Sequence, residues 1–112
     1  MISVLLKRKR NGALFECFAQ GHADYAARGS DIVCSAATIL LRTTLALLEK
    51  TAGIEIESNT SERGVLAFRI KSIDSKVELE QKLIFAADFL EEGFESLFKE
   101  YPRNGTFLKE QV

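Results

Sequence analysis

The sequence has no tryptophan, one proline, one histidine and two cysteines, and each scarcity excludes something. A single proline and seven glycines leave little room for linkers or low-complexity segments. Two cysteines cannot build a disulfide framework, so a reduced, cytoplasmic setting is the default. His22 with Cys17 and Cys34 falls short of the four ligands of a structural zinc site. No metal and no cofactor is expected. Charge of one sign is also lacking: 15 Lys and Arg stand against 16 Asp and Glu, a formal net charge of −1. That balance gives no expectation of direct nucleic-acid contact through bulk charge. The longest apolar stretch, 35–48, is interrupted by Arg42 and flanked by Asp31 and Glu49. It falls short of the ~20 apolar residues of a membrane span, and no membrane partner is expected. The first residues run apolar before basic, the reverse of a secretory signal.

What remains is ordinary globular composition. The 112 residues are 46% hydrophobic and 28% charged, which argues against disorder and fits one domain over residues 1–112. The first element is a hairpin. Asn11-Gly12 predicts a two-residue type I′ turn, with both residues at positive φ. In that register Arg10 faces Ala13 and Lys7 faces Glu16, a favourable cross-strand pair. Ile2, Val4, Leu6, Phe15, Cys17 and Ala19 then share the core face.

A glycine-bracketed loop runs from Gly21 to Gly29. A helix follows, with Ser30 or Asp31 as N-cap, reaching about Ala52 and stopped by Gly53. It carries so few charges that packing on most of its sides is expected. A second hairpin alternates Ile54 and Ile56 with glutamates, then Leu66, Phe68 and Ile70 with polar or small residues. A second helix spans roughly residues 75–100 and ends at Pro102. Leu79, Leu83, Ala86, Leu90, Phe94, Leu97 and Tyr101 form its stripe, and Phe85, Phe89 and Phe98 widen it. That extra width reads either as a thick core stripe or as a homodimer surface. Residues 106–111 are expected to add a short edge strand. The fold class is α+β, ββαββα, an antiparallel sheet with two helices packed on one face.

His22 and Cys34 are the pair with a nucleophile-and-base relationship. One ends a strand through a glycine; the other opens the next helix, so the connection folds back and contact is geometrically open. Free N–H groups and the macrodipole at a helix start favour a thiolate. An imidazole takes the thiol proton and returns it to a leaving amine. With Asp31 as N-cap, Cys34 is the N3 residue, and the N–H groups of that turn are candidate oxyanion donors. The plainer readings stay beside these: Cys34 as a small buried helix residue, His22 as a loop residue, Asp31 as a cap only. Thr38, one turn beyond Cys34, lines the same cleft or bonds back to its own helix. Cys17, on the hairpin's core face, reads as structural. The run Lys7-Arg8-Lys9-Arg10 splits its charges between two faces of a hairpin and more simply solvates an edge.

The segment Gly21-His22-Ala23-Asp24-Tyr25-Ala26, followed by Gly29-Ser30-Asp31-Ile32-Val33-Cys34-Ser35-Ala36-Ala37-Thr38, resembles the Prp family of ribosomal-processing cysteine proteases. The family pattern is Gly-His-Ala, then Asp-x-Val-Cys-Ala with Ser or Thr four residues past the cysteine. Ser35 replaces the usual Ala and Ala37 stands where Val is common; His22 and Cys34 are untouched. The ββαββα order and the length extend the likeness over essentially the whole chain. The resemblance implies removal of the N-terminal extension of a large-subunit ribosomal protein, cut after a pair of phenylalanines. It makes Cys34 the nucleophile, His22 the general base and Asp31 a supporting residue, with Gly21 and Thr38 also supporting. It further implies a homodimer, a mobile loop after His22 hinged at Gly21 and Gly29, and a peptide cleft between the first helix and the second strand. Two other classes compete: a non-catalytic ribosome-associated binding module using the basic hairpin, and a thiol redox sensor using Cys34.

Overall fold

A computed structural model describes residues 1–21, 28–60 and 64–112, with the backbone alone for 28–31. The elements are β1 (Ile2–Arg8), β2 (Leu14–Gln20), α1 (Arg28–Glu49), β3 (Ile54–Asn59), β4 (Val65–Ile73), α2 (Val77–Glu100) and β5 (Gly105–Gln111). The strands form one sheet in the order β3-β4-β2-β1-β5. The architecture is α+β as expected, but the sheet is mixed. β5 lies parallel to β1, with Ile2 opposite Gly105 and Arg8 opposite Gln111, because a chain returning through α2 crosses over the sheet rather than turning back beside it.

The first hairpin keeps the expected register through most of its length. Lys7 faces Glu16, with Lys7 Nζ 3.7 Å from the carboxylate. The turn is different from the two-residue type I′ form. The Gly12 N–H donates to the Lys9 carbonyl and the Lys9 N–H to the Ala13 carbonyl, both at 2.8 Å, so Lys9 to Gly12 make a four-residue turn. Gly12 alone takes positive φ, at 93°, and Asn11 does not. Such a turn adds a residue to one strand, which produces a bulge. The register shifts between Lys7 and Arg8, so that Arg8 faces Leu14. Hence Leu14 and Ala13 are buried, and Phe15, expected in the core, is only half-buried.

Both helices pack on the sheet face that carries Val4, Leu6, Cys17, Phe68 and Ile70. α1 buries Val33, Ala37, Leu41, Leu45 and Leu48, a stripe at three-four spacing. Its segment Ile32–Glu49 is long and apolar enough to cross a membrane by length and composition, contrary to the shorter span read from the sequence. Here that stripe covers the sheet. The helix is not packed on most sides, because Ile39 and Leu47 on its outer face are 64% and 63% exposed.

α2 buries Leu79, Leu83, Ala87, Leu90 and Phe94, while Ala86, Leu97 and Tyr101 are half-buried at the margin of the stripe. Phe94 is fully buried, with ring centroids 6.2 Å from Phe98 and 5.5 Å from Phe107. It therefore joins α2 to β5. Replacing Phe94 with Ala removes a buried ring and both stacking contacts, and should cost about 3–5 kcal/mol of stability, read from the urea unfolding midpoint.

Candidate active site

At one end of the sheet, β2 finishes as β4 begins, with Ala19 opposite Leu66 and Gln20 opposite Val65. The chain leaves β2 through Gly21, whose N–H donates to the Gly64 carbonyl at 2.9 Å. Gly21 has φ of 127°. A Cβ there would come within 3.1 Å of Ile2 Cα and press on the Met1 carbonyl oxygen, so only glycine fits this exit. α1 passes above this corner and leaves a cavity of about 320 Å³ between itself and the strand ends.

The helix supplies Cys34, Thr38 and Arg42 to the cavity wall, with Ala37 and Leu41 beneath them. Residues four apart lie one above another on a helix, so Cys34, Thr38 and Arg42 form a row on its shoulder. Ala19, Ala37, Leu41 and Leu66 give an apolar floor, and Gln20 and Thr60 a polar rim. The volume suits one or two large apolar side chains entering beside a thiol. Cys34 is half-buried and free, neither sealed in the core nor fully in solvent.

The structure thus brings Cys34, Thr38 and Gly21 to one cavity. His22 lies outside the described residues, as does the side chain of Asp31. The backbone at 28–31 changes two expectations. α1 begins at Arg28, so Asp31 is a helical residue of the first turn and not the N-cap. Cys34 is then a second-turn residue whose N–H points along the helix, so it is not at N3 and is no free oxyanion donor. Gly29, expected as a hinge, is also helical. Sequence reading missed Arg42 and the rim residues Gln20 and Thr60. Arg42 follows from the four-residue spacing beyond Thr38; the rim requires the β2–β4 pairing.

Cys17 has no exposed surface, and burial pushes its thiol from an ordinary 9.0 to about 12. It cannot serve as a ready resolving partner for Cys34, which weakens the redox-sensor reading. The basic hairpin is equally committed. Arg8 donates to Asp88 at 2.7 Å and Glu91 at 3.2 Å on α2, and Lys7 Nζ lies 3.7 Å from Glu16 and 3.9 Å from Glu110. Half of the four-residue basic run is therefore neutralised within the fold, which disfavours a nucleic-acid surface there.

A half-buried thiol over an apolar-floored cleft in a small α+β domain fits the class of cysteine hydrolases. The family model described as Cysteine protease Prp matches residues 1–106, and the chain belongs to this family. Its fold is similar to that of S. aureus Prp, an essential ribosomal processing protease, in complex with a substrate peptide. That likeness has a TM-score of 0.79 at 20% identity and covers 98% of this chain and 100% of that one. S. aureus Prp with a covalently linked product peptide is 25% identical, with a TM-score of 0.69 and coverage of 98% and 100%. SMU.848 from Streptococcus mutans is 22% identical, with a TM-score of 0.76 and coverage of 100% and 96%. No curated protein matches the chain.

Two measurements follow from the contrast between the cysteines. Iodoacetamide followed by mass spectrometry should label Cys34 in the native protein and leave Cys17 unlabelled until denaturant is added. Because the Cys17 thiol titrates higher in the folded than in the unfolded chain, its contribution is complete below pH 9.0. It is lost as pH rises from there towards about 12. The urea midpoint should fall between about pH 9 and pH 12, and less steeply in Cys17→Ala.

Proposed function

We propose that this chain is a ribosomal-processing endopeptidase of the cytoplasm. It removes the N-terminal extension of a large-subunit ribosomal protein by cutting after a Phe-Phe pair. The observation that carries the proposal is the Cys34 row over an apolar floor, in a chain belonging to the cysteine protease Prp family. The S. aureus relatives captured with a substrate peptide and with a covalently linked product peptide support a peptide substrate and a covalent enzyme–peptide species.

In this mechanism the Cys34 thiol loses its proton to His22 and the sulfur attacks the carbonyl after the second phenylalanine. The tetrahedral intermediate collapses as the C–N bond breaks, and His22 delivers its proton to the departing amine. A thioester joins the extension to Cys34. Water, giving a proton to His22, attacks that thioester; the extension leaves as a free acid and Cys34 regains its proton. Asp31, one turn before Cys34, supports the pair. The Thr38 hydroxyl offers a hydrogen bond to the peptide beside the thiol. The chemistry uses protein groups and water throughout.

A synthetic peptide spanning the extension and its junction should be cut at one bond by the wild type and by Cys17→Ala, read by mass spectrometry. His22→Ala should lose on the order of 10²–10⁴ in kcat/KM, and Cys34→Ala more. Cleavage by no form of the folded, reduced protein would replace this reading with the binding module.

We also propose that the chain is a homodimer through its helical face. Phe85 and Phe89 are 71% and 44% exposed and border an apolar groove of about 810 Å³ between the helices, with Leu47 at its edge and Leu48 beneath. A surface that apolar is normally covered. Sedimentation should give twice the chain mass of 12.5 kDa for the wild type and the single mass for Phe85→Glu with Phe89→Glu. A wild-type monomer at micromolar concentration would remove the dimer from the reading.

A further inference from the structure

Arg42 is the one charged side chain among the described residues that line the Cys34 cavity. Nothing in the described fold occupies it: no carboxylate among the described residues pairs with it, whereas Arg8, Arg69 and Lys109 are all engaged. It is exposed, and it continues the row set by Cys34 and Thr38. A guanidinium with no carboxylate partner among the described residues, at the rim of a cleft, is a receptor for a planar anion, since its fork of donors matches a carboxylate in both geometry and charge.

Its distance from the thiol sets where that carboxylate falls. Eight residues of helix separate Arg42 from Cys34, a rise of about 12 Å. An extended peptide advances about 3.3 Å per residue, so Arg42 stands roughly three to five residues from the cleaved bond once its own reach is included. Between the two lies the apolar floor of Ala37, Leu41 and Leu66. If the aromatic pair before the cut occupies that floor, as the function proposed above requires, Arg42 faces the N-terminal side of the peptide.

We infer that Arg42 is a specificity-determining residue of this chain, selecting peptides that carry an Asp or Glu three to five residues before the cleaved bond. The contact is solvent-accessible, so its effect is moderate and falls as salt rises. It acts on substrate capture and leaves the chemical step at Cys34 unchanged.

The test uses nine otherwise identical junction peptides, with Asp, Asn or Lys at the third, fourth or fifth position before the bond. Each is given to the wild type, Arg42→Gln and Arg42→Glu, with circular dichroism to verify folding. The wild type should prefer Asp over Asn by about 3–10-fold in kcat/KM at one of these positions, mostly through KM, and disfavour Lys. Arg42→Gln should lose the preference and Arg42→Glu should turn it towards Lys. Raising salt from about 0.05 to 0.5 M should shrink the wild-type preference and leave the Asn peptide nearly unaffected. Equal rates on Asp, Asn and Lys peptides in the wild type, or an unchanged order in Arg42→Glu, would overturn the inference while leaving the protease reading intact. Cleavage of none of the peptides by any form would remove both.

Discussion

The width of a sheet that helices cover on one face governs this molecule. Five strands spaced about 4.8 Å apart measure roughly 19 Å across, and two helices packed 8–10 Å apart fill that width with nothing to spare. α1 and α2 therefore divide the face carrying Val4, Leu6, Cys17, Phe68 and Ile70 between them. Everything else is arranged around that division. Each helix spends one stripe on the sheet, and the apolar residues beyond that stripe, Ile39 and Leu47 on α1 and Phe85 and Phe89 on α2, are left facing outwards. Among the described residues, a gap remains between α1 and the strand ends beneath it, and that gap is the cavity.

The cavity depends on backbone as much as on side chains. Gly21 and Gly64 are joined by a hydrogen bond of 2.9 Å at the point where two strands end, and this tie fixes the cavity wall opposite α1. The helix presents its thiol, hydroxyl and guanidinium from consecutive turns of one rigid rod. Groups carried on a helix keep their mutual distances, so the relation between the Cys34 sulfur and the Arg42 guanidinium is set by helical rise rather than by loop conformation.

Much of this was legible in the sequence, for identifiable reasons. Alternation in β1, β2, β3 and β4 and the three-four spacing of Leu79, Leu83, Leu90 and Phe94 report directly which face is buried. The Lys7–Glu16 register is fixed by the same alternation. Three things were hidden because they depend on non-local terms. The bulge that exchanges Phe15 for Leu14 follows from a four-residue turn, and Asn11-Gly12 serves that turn as well as the tighter one. The parallel placement of β5 depends on where α2 ends, which no local pattern encodes. The start of α1 at Arg28, ahead of two plausible caps at Ser30 and Asp31, moved Cys34 from the helix end into its second turn. The family motif singles out Cys34, which the structure brings to the cavity, and His22, which lies outside the described residues, whereas Arg42 lies beyond the motif and emerges from the cavity lining.

The pairing of β1 with β5 carries a consequence for how the domain comes to exist. β1 is made well before its partner, since its outer edge is matched by residues about a hundred positions later, Ser3 with Thr106 and Val4 with Phe107. During elongation the hairpin of β1 and β2 stands with one open edge and no α2 to cover it. An exposed strand edge of that kind is where two nascent chains would join. The bulge beside Arg8 and the charges of Lys7 and Lys9 bend and decorate that edge in the interval. A sheet in which β1 and β5 are neighbours closes only when the segment after α2 is free to arrive, so its last pairing waits until β5 has left the ribosome.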